Sequence, residues 1–203
     1  EIYTSLFAAA SDVYKRQAAM WCAIRSCNRS STPTTPMKAT CERRCMHLSL
    51  DLDNGCKDAD SPDEDQLRRW ISAALRSQAG SRDDTEIALK IVDETEAAAL
   101  NQQYRGRQGA TNVLSFPFAA VTPEPLPMLG DLVICAPVVA REAAEQNKSS
   151  EAHWAHMLVH GVLHLLGHDH LTDEDAERME ALETQIMQQM DYPAPYLTAE
   201  IAP

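Results

Sequence analysis

Leu48, Leu50 and Leu52 alternate with Ser49 and Asp51, the period of a half-buried strand. From Asp63 to Ala79 the period lengthens. Leu67, Trp70, Ile71, Ala74 and Leu75 fall at helical spacing, and Gly80 supplies a stop. Glu86 to Val92 is strand-like, and the Ala-rich stretch after Asp93 predicts a helix to about Tyr104. Arg105 to Ala110 is interrupted by Gly106 and Gly109 and predicts a loop. Val113 to Phe118 has strand character but contains Pro117, which lacks a ladder donor and predicts an edge position. After a Pro-rich loop at 123–127, Leu129 to Ala136 predicts another strand. Helical patterns then run over about 138–146, 150–166 and 173–189. Strands come early and helices late. That order predicts an α+β fold, a small mixed sheet of about four strands covered by helices, over a doubly wound parallel sheet.

The chain has 203 residues, 44% of them hydrophobic. That suits one domain with a real core plus an extension, and excludes wholesale disorder. The longest apolar stretch, Leu132 to Ala140, is broken by Pro137 and falls far short of the roughly 18 residues of a membrane span. Before Met46 the character differs. Residues 28–40, NRSSTPTTPMKAT, have no apolar period and read as a linker. Asp12 to Gln17, DVYKRQ, reverse-translates to a transposon end used in sequencing-library adapters, so residues 1–17 are expected to be translated adapter. The expected division is therefore a non-native or disordered extension over 1–45 and a single domain over 46–203. Cys22, Cys27, Cys41 and Cys45 lie in the extension; Cys56 and Cys135 lie in the domain, where a buried thiol is the default. Nothing demands an oxidising compartment, and a cytoplasmic location is expected.

Chemistry is concentrated in HMLVHGVLHLLGHDH, which holds five of the seven histidines. On a helix His160 and His164 lie at i and i+4, so both imidazoles project from one face. Gly167 lets the helix end in a left-handed turn, and the reversed chain can bring His170 back toward the pair. Three imidazoles with an open fourth position are the catalytic form of a zinc site. Three imidazoles suit nickel as well as zinc. His156 continues the same face one turn earlier and is expected beside the ligands, not among them. His153 is expected to be solvated. Asp169 could orient a ligand imidazole. The acidic positions of the last helix, Asp173, Glu174, Asp175, Glu177, Glu180 and Glu183, read as a solvated face.

The spacing H-x3-H-x2-G-x2-H matches the zinc-protease pattern with one departure. Those enzymes need Glu directly after the first His as general base, and here Gly161 stands there. A metalloprotease is therefore the runner-up. A phosphodiester, whose developing charge needs a cation clamp more than a carboxylate, fits better. Arg105 and Arg107 offer planar forks for phosphate oxygens, although two solvated loop arginines would look the same.

Two stretches, LNQQYRGRQGATNVLSFPF (Leu100 to Phe118) and HGVLHLLGHDH (His160 to His170), with LGDLVIC (Leu129 to Cys135) between them, resemble the YbeY family of metal-dependent endoribonucleases. The resemblance runs from about Met46 to about Leu197. It implies a single-strand-directed endoribonuclease in ribosomal RNA maturation and ribosome quality control. It implies His160, His164 and His170 as ligands of one zinc, and Arg105 in place of the family's functionally important arginine. His168 stands where many members have Tyr. Ribosomal RNA, the small ribosomal subunit and ribosome-associated proteins are the implied partners, with no membrane and no DNA. A second class remains open: a non-catalytic ribosome assembly factor with a structural metal.

The net charge of −12 argues at first against any nucleic acid. It sums an extension of +4 and a remainder of −16. RNA recognition is therefore expected to be local, through a metal and one or two arginines on a surface that otherwise repels phosphate.

Overall fold

The computed structural model describes residues 47–56, 61–77, 84–118 and 126–196. The chain divides into Glu1–Arg43 and Arg44–Pro203, and every described residue belongs to the second unit. The 1–17 and 28–40 segments, the first four cysteines, Gly80 and residues 123–125 lie outside the described residues.

Four strands and five helices follow in chain order: β1 (His47–Asn54), α1 (Glu64–Arg76), β2 (Asp84–Val92), α2 (Glu94–Arg105), β3 (Val113–Pro117), β4 (Met128–Cys135), α3 (Ala136–Glu145), α4 (Ser150–Leu165) and α5 (Asp173–Gln189). Local chemistry sets their starts. Asp63 caps α1 in a reciprocal capping box with Gln66, Asp93 caps α2 by accepting from the Glu96 amide, and Thr172 caps α5 by accepting from the Asp175 amide. Helix α3 begins two residues earlier than expected because Pro137 is tolerated in a first turn, whose amides lack partners anyway.

The sheet order is β1-β2-β4-β3. Strands β1, β2 and β4 are parallel, and β3 runs antiparallel to β4 with Pro117 opposite Gly130. The sheet is thus mixed, the fold is α+β, and the Pro-containing strand lies at an edge, as its missing donor requires.

Alternation along the inner strands separates two faces. Ile87, Leu89, Ile91, Leu132 and Ile134 join Trp70, Trp154, Leu158 and Leu163 in the main core with α1, α4 and α5. Val92 and Cys135 point the other way, into a smaller cluster with Ala97 of α2 and Val138 of α3. Helix α4 is the central element. Every residue from Ala152 to Val159 is buried, because α1, α3, α5, β3 and β4 all pack on it. Cys56 and Cys135 are buried, as expected of core thiols. Among the described residues no helix is long and apolar enough to cross a membrane.

Candidate metal centre

The end of α4 builds the site. His160 and His164 lie one turn apart, both half-buried. Gly167 takes φ +93°, a conformation most side chains resist. The Gly167 and His168 amides donate to the carbonyls of His164 and Leu163 at 3.1 and 3.0 Å, closing the helix. The reversed chain returns His170 to the pair, and one ring nitrogen from each of His160, His164 and His170 lies within 4.8 Å of the others. Among the described residues this group of potential ligands has three members.

Hydrogen bonds fix which nitrogen of each helical imidazole carries the proton. His164 Nδ1 lies 2.9 Å from the carbonyl oxygen of His168; a carbonyl only accepts, so Nδ1 donates and Nε2 keeps its lone pair. His160 Nδ1 donates to Glu183 Oε1 at 2.8 Å, which again leaves Nε2 bare. The two Nε2 atoms face each other at 3.1 Å. Two lone pairs at that distance repel unless a cation lies between them. Burial, and then the neighbouring His160, push the His164 pKa down, which keeps the ring in the neutral form that a metal requires. This donor set fits a divalent metal of the zinc type.

Glu183 was expected on a solvated face. It is instead completely buried. With Met179, Ile186 and Met187 it forms the stripe by which α5 meets the core, while Asp173, Glu174, Glu177 and Glu180 are exposed. Its Oε1 accepts from His160 and its Oε2 from His156 Nε2 at 2.9 Å. The Tyr196 hydroxyl also donates to Oε2. Burial by itself would raise the carboxyl pKa, but the bonds from His156, His160 and Tyr196 hold it at about 2. The sequence contained a signal for it: a Glu inside the 179, 183, 186, 187 stripe sits where apolar residues belong.

Other expectations change with the packing of α4. His156 is buried and bonded to Glu183, outside the trio, as expected. His153 is buried, not solvated, because α4 is enclosed on all sides. Its Nε2 lies 3.0 Å from Glu142 Oε2, and Asn112 Nδ2 donates to the same oxygen at 3.1 Å. Asp169 accepts from the His170 amide at 2.8 Å, but its Oδ1 stands 3.9 Å from His170 Nδ1. It shapes the turn and makes no hydrogen bond to that imidazole.

Gly161 lies tight against the sheet. A Cβ there would meet Leu132 Cδ2 at 2.9 Å, Val113 Cγ2 at 3.3 Å and Ser115 Oγ at 3.4 Å. Ser115 also donates to the Gly161 carbonyl at 3.2 Å. The position after His160 thus faces β3 and β4 and has no room for the glutamate of a zinc protease.

Arg105 closes α2, on the opposite face of the sheet from α4, and its side chain is exposed, as is that of Arg107. The histidines and the arginine therefore come from separate elements. Two contacts fix the arginine segment. Asn101, buried in α2, donates to the Gly109 carbonyl at 2.9 Å, and Tyr104 packs edge-on against Phe116 of β3, centroids 5.0 Å apart. Strand β3 is also the strand that packs against α4 at Gly161.

The family model described as Endoribonuclease YbeY matches residues 52–191, more than half of the chain. The solution structure of TM1509 from Thermotoga maritima is similar to this chain at 24% sequence identity, over 70% of this chain and 92% of that one, with a TM-score of 0.47.

Proposed function

Because the chain belongs to the YbeY endoribonuclease family, we propose that it cleaves single-stranded segments of ribosomal RNA during maturation and quality control of the small ribosomal subunit, in the cytoplasm. His160, His164 and His170 hold one zinc ion in this proposal, and Arg105 binds the phosphate. The observation that carries it is the facing pair of bare Nε2 atoms, 3.1 Å apart, whose tautomers are fixed by the His168 carbonyl and Glu183. A zinc ion bound there supplies a Lewis acid for a phosphoryl oxygen and lowers the pKa of a bound water. The chain's own residues do the rest. Glu183 and the His168 carbonyl hold the two helical imidazoles in one orientation. The exposed Arg105 guanidinium pairs with phosphate oxygens as negative charge builds in the transition state.

The protease alternative loses support at Gly161, whose Cβ direction is filled by the sheet. Glu183 does not replace the missing base, since its Oε1 accepts from His160 Nδ1, on the side of that ring away from the trio, and its Oε2 from His156 Nε2. A structural metal would call for a closed set of four ligands, and among the described residues the group has three.

RNA cleavage by the full chain is the test. Chelation, His160→Ala and Arg105→Glu are each expected to lower the rate by on the order of 100-fold or more, with zinc restoring the chelated protein. Cleavage at the unaltered rate in all three cases would refute the assignment. Unbroken RNA alongside clear binding to the small subunit would favour the assembly factor.

A further inference from the structure

Glu183, which orients His160 from its Nδ1 side, is itself held in a buried polar network that takes no part in the cleavage chemistry. Three side chains from different parts of the chain meet there. Glu183 comes from α5 and is completely buried. His156 comes from α4, one turn before the first ligand, and is 7% exposed. Tyr196 comes from the segment after α5, and its ring stands edge-on to His156 with centroids 5.4 Å apart. That segment is fastened at the preceding residue, where Lys148 Nζ donates to the Pro195 carbonyl at 2.7 Å.

We propose that Glu183 is a positioning residue for the metal centre. It fixes the ring orientation and tautomer of His160, and is itself held by His156 and Tyr196. The proposal rests on the reading of His160, His164 and His170 as metal ligands. A carboxylate offers two acceptor oxygens and no donor. Oε1 is taken by His160 Nδ1–H at 2.8 Å and Oε2 by His156 Nε2–H at 2.9 Å, with the Tyr196 hydroxyl as a further donor to Oε2. Every neighbour therefore has to donate, which forces the proton of His160 onto Nδ1 and its lone pair toward His164.

His156 adds an independent sign that this arrangement is specified. Its Nδ1 is buried and has no hydrogen-bond partner among the described residues, an unfavourable state for a polar atom. The ring accepts that cost and gives its N–H to Glu183. A carboxylate that merely needed any donor in the core would not require two imidazoles and a phenol. Carboxylate partners of metal-bound imidazoles raise ligand basicity and typically change metal affinity by about 10- to 100-fold.

The test uses the full chain stripped of metal and titrated with Co²⁺ and Zn²⁺ against a chromophoric chelator, recording the visible absorption of the cobalt form. Glu183→Gln keeps the side-chain shape but loses the charge and one of the two acceptors. It is expected to weaken both metals by on the order of 10- to 100-fold and to shift the cobalt bands, which a purely structural substitution would leave unmoved. Tyr196→Phe removes one hydroxyl from a side chain that is 44% exposed, so the fold should persist. It should weaken binding by a few-fold in the same direction. Cobalt affinity and bands unchanged from the parent in both variants overturn the proposal. If Glu183→Gln does not fold, unchanged binding by Tyr196→Phe overturns it alone. A parent protein that binds neither metal, indistinguishable from His160→Ala, overturns the metal centre itself.

Discussion

Glu183 and His153 both tie stability to protons on the acid side of neutrality. Glu183 is held at about 2, against an ordinary value of 4.5, by bonds present only in the fold. Between those values the unfolded chain takes up a proton that the folded one refuses. The carboxylate's stabilisation is complete above pH 4.5 and is lost as pH falls toward 2. The shift corresponds to on the order of 3 kcal/mol. His153 is depressed below its ordinary 6.5, first by burial. Its neutral ring costs nothing above pH 6.5, and stability declines as pH drops below that value. Denaturant unfolding of the metal-free protein from pH 7 downward should therefore show an early decline and then a steeper one. Glu183→Gln should remove the lower limb alone. A Glu183→Gln curve parallel to the parent across pH 4.5 to 2 would show that this carboxylate is not the source.

At the level of elements, α4 does two jobs that constrain each other. It must lie against β3 and β4 to be the core helix, and it must present His160 and His164 at its open end. Gly161 reconciles them, since a Cβ there would crowd Leu132 and Val113 unless they shifted. Gly161→Ala should cost about 1–3 kcal/mol, moderated by the mobility of the Leu132 side-chain tip. Gly161→Glu, which would recreate the protease motif, should fail to fold and gain no peptidase activity. Thermal unfolding of the alanine protein and a soluble-expression assay of the glutamate protein check this. A well-folded Gly161→Glu would mean that the helix can lift from the sheet. The periodicities of the strands and helices were legible because each exposes one face and buries another. The burial of His153 and Glu183 lies outside that local pattern, which cannot reveal that the middle of α4 is enclosed on all sides, or that α5 lays one acidic position on that helix.

For the whole molecule, a net charge of −12 sets the terms of RNA binding. Affinity for phosphate chains rises with the number of cations presented together, and the candidate contacts are a metal centre and the exposed Arg105 and Arg107. Naked single-stranded RNA should bind weakly at physiological salt and depend on the ribosome or a protein partner for placement. Filter binding or anisotropy with a short RNA, at several salt concentrations, measures it. Submicromolar affinity at physiological salt would point to a basic surface that the charge count does not reveal.

The amino-acid sequence by itself determined the order and type of the elements, the edge position of the Pro-containing strand, and the histidine trio. These depend on spacing along one helix and one turn, which the chain carries locally: i, i+4, then a glycine and a reversal. Tertiary structure decided which nitrogen of His160 holds the proton, while the turn itself sets that of His164. The donor–acceptor bonds that set them come from the His168 carbonyl after the turn and from Glu183 on a helix packed alongside. It also decided why Gly161 is glycine, since the obstacle to a side chain belongs to two strands distant in sequence. Local spacing can specify which atoms are available, but burial and partners reaching across the fold specify their protonation, their orientation and the space around them.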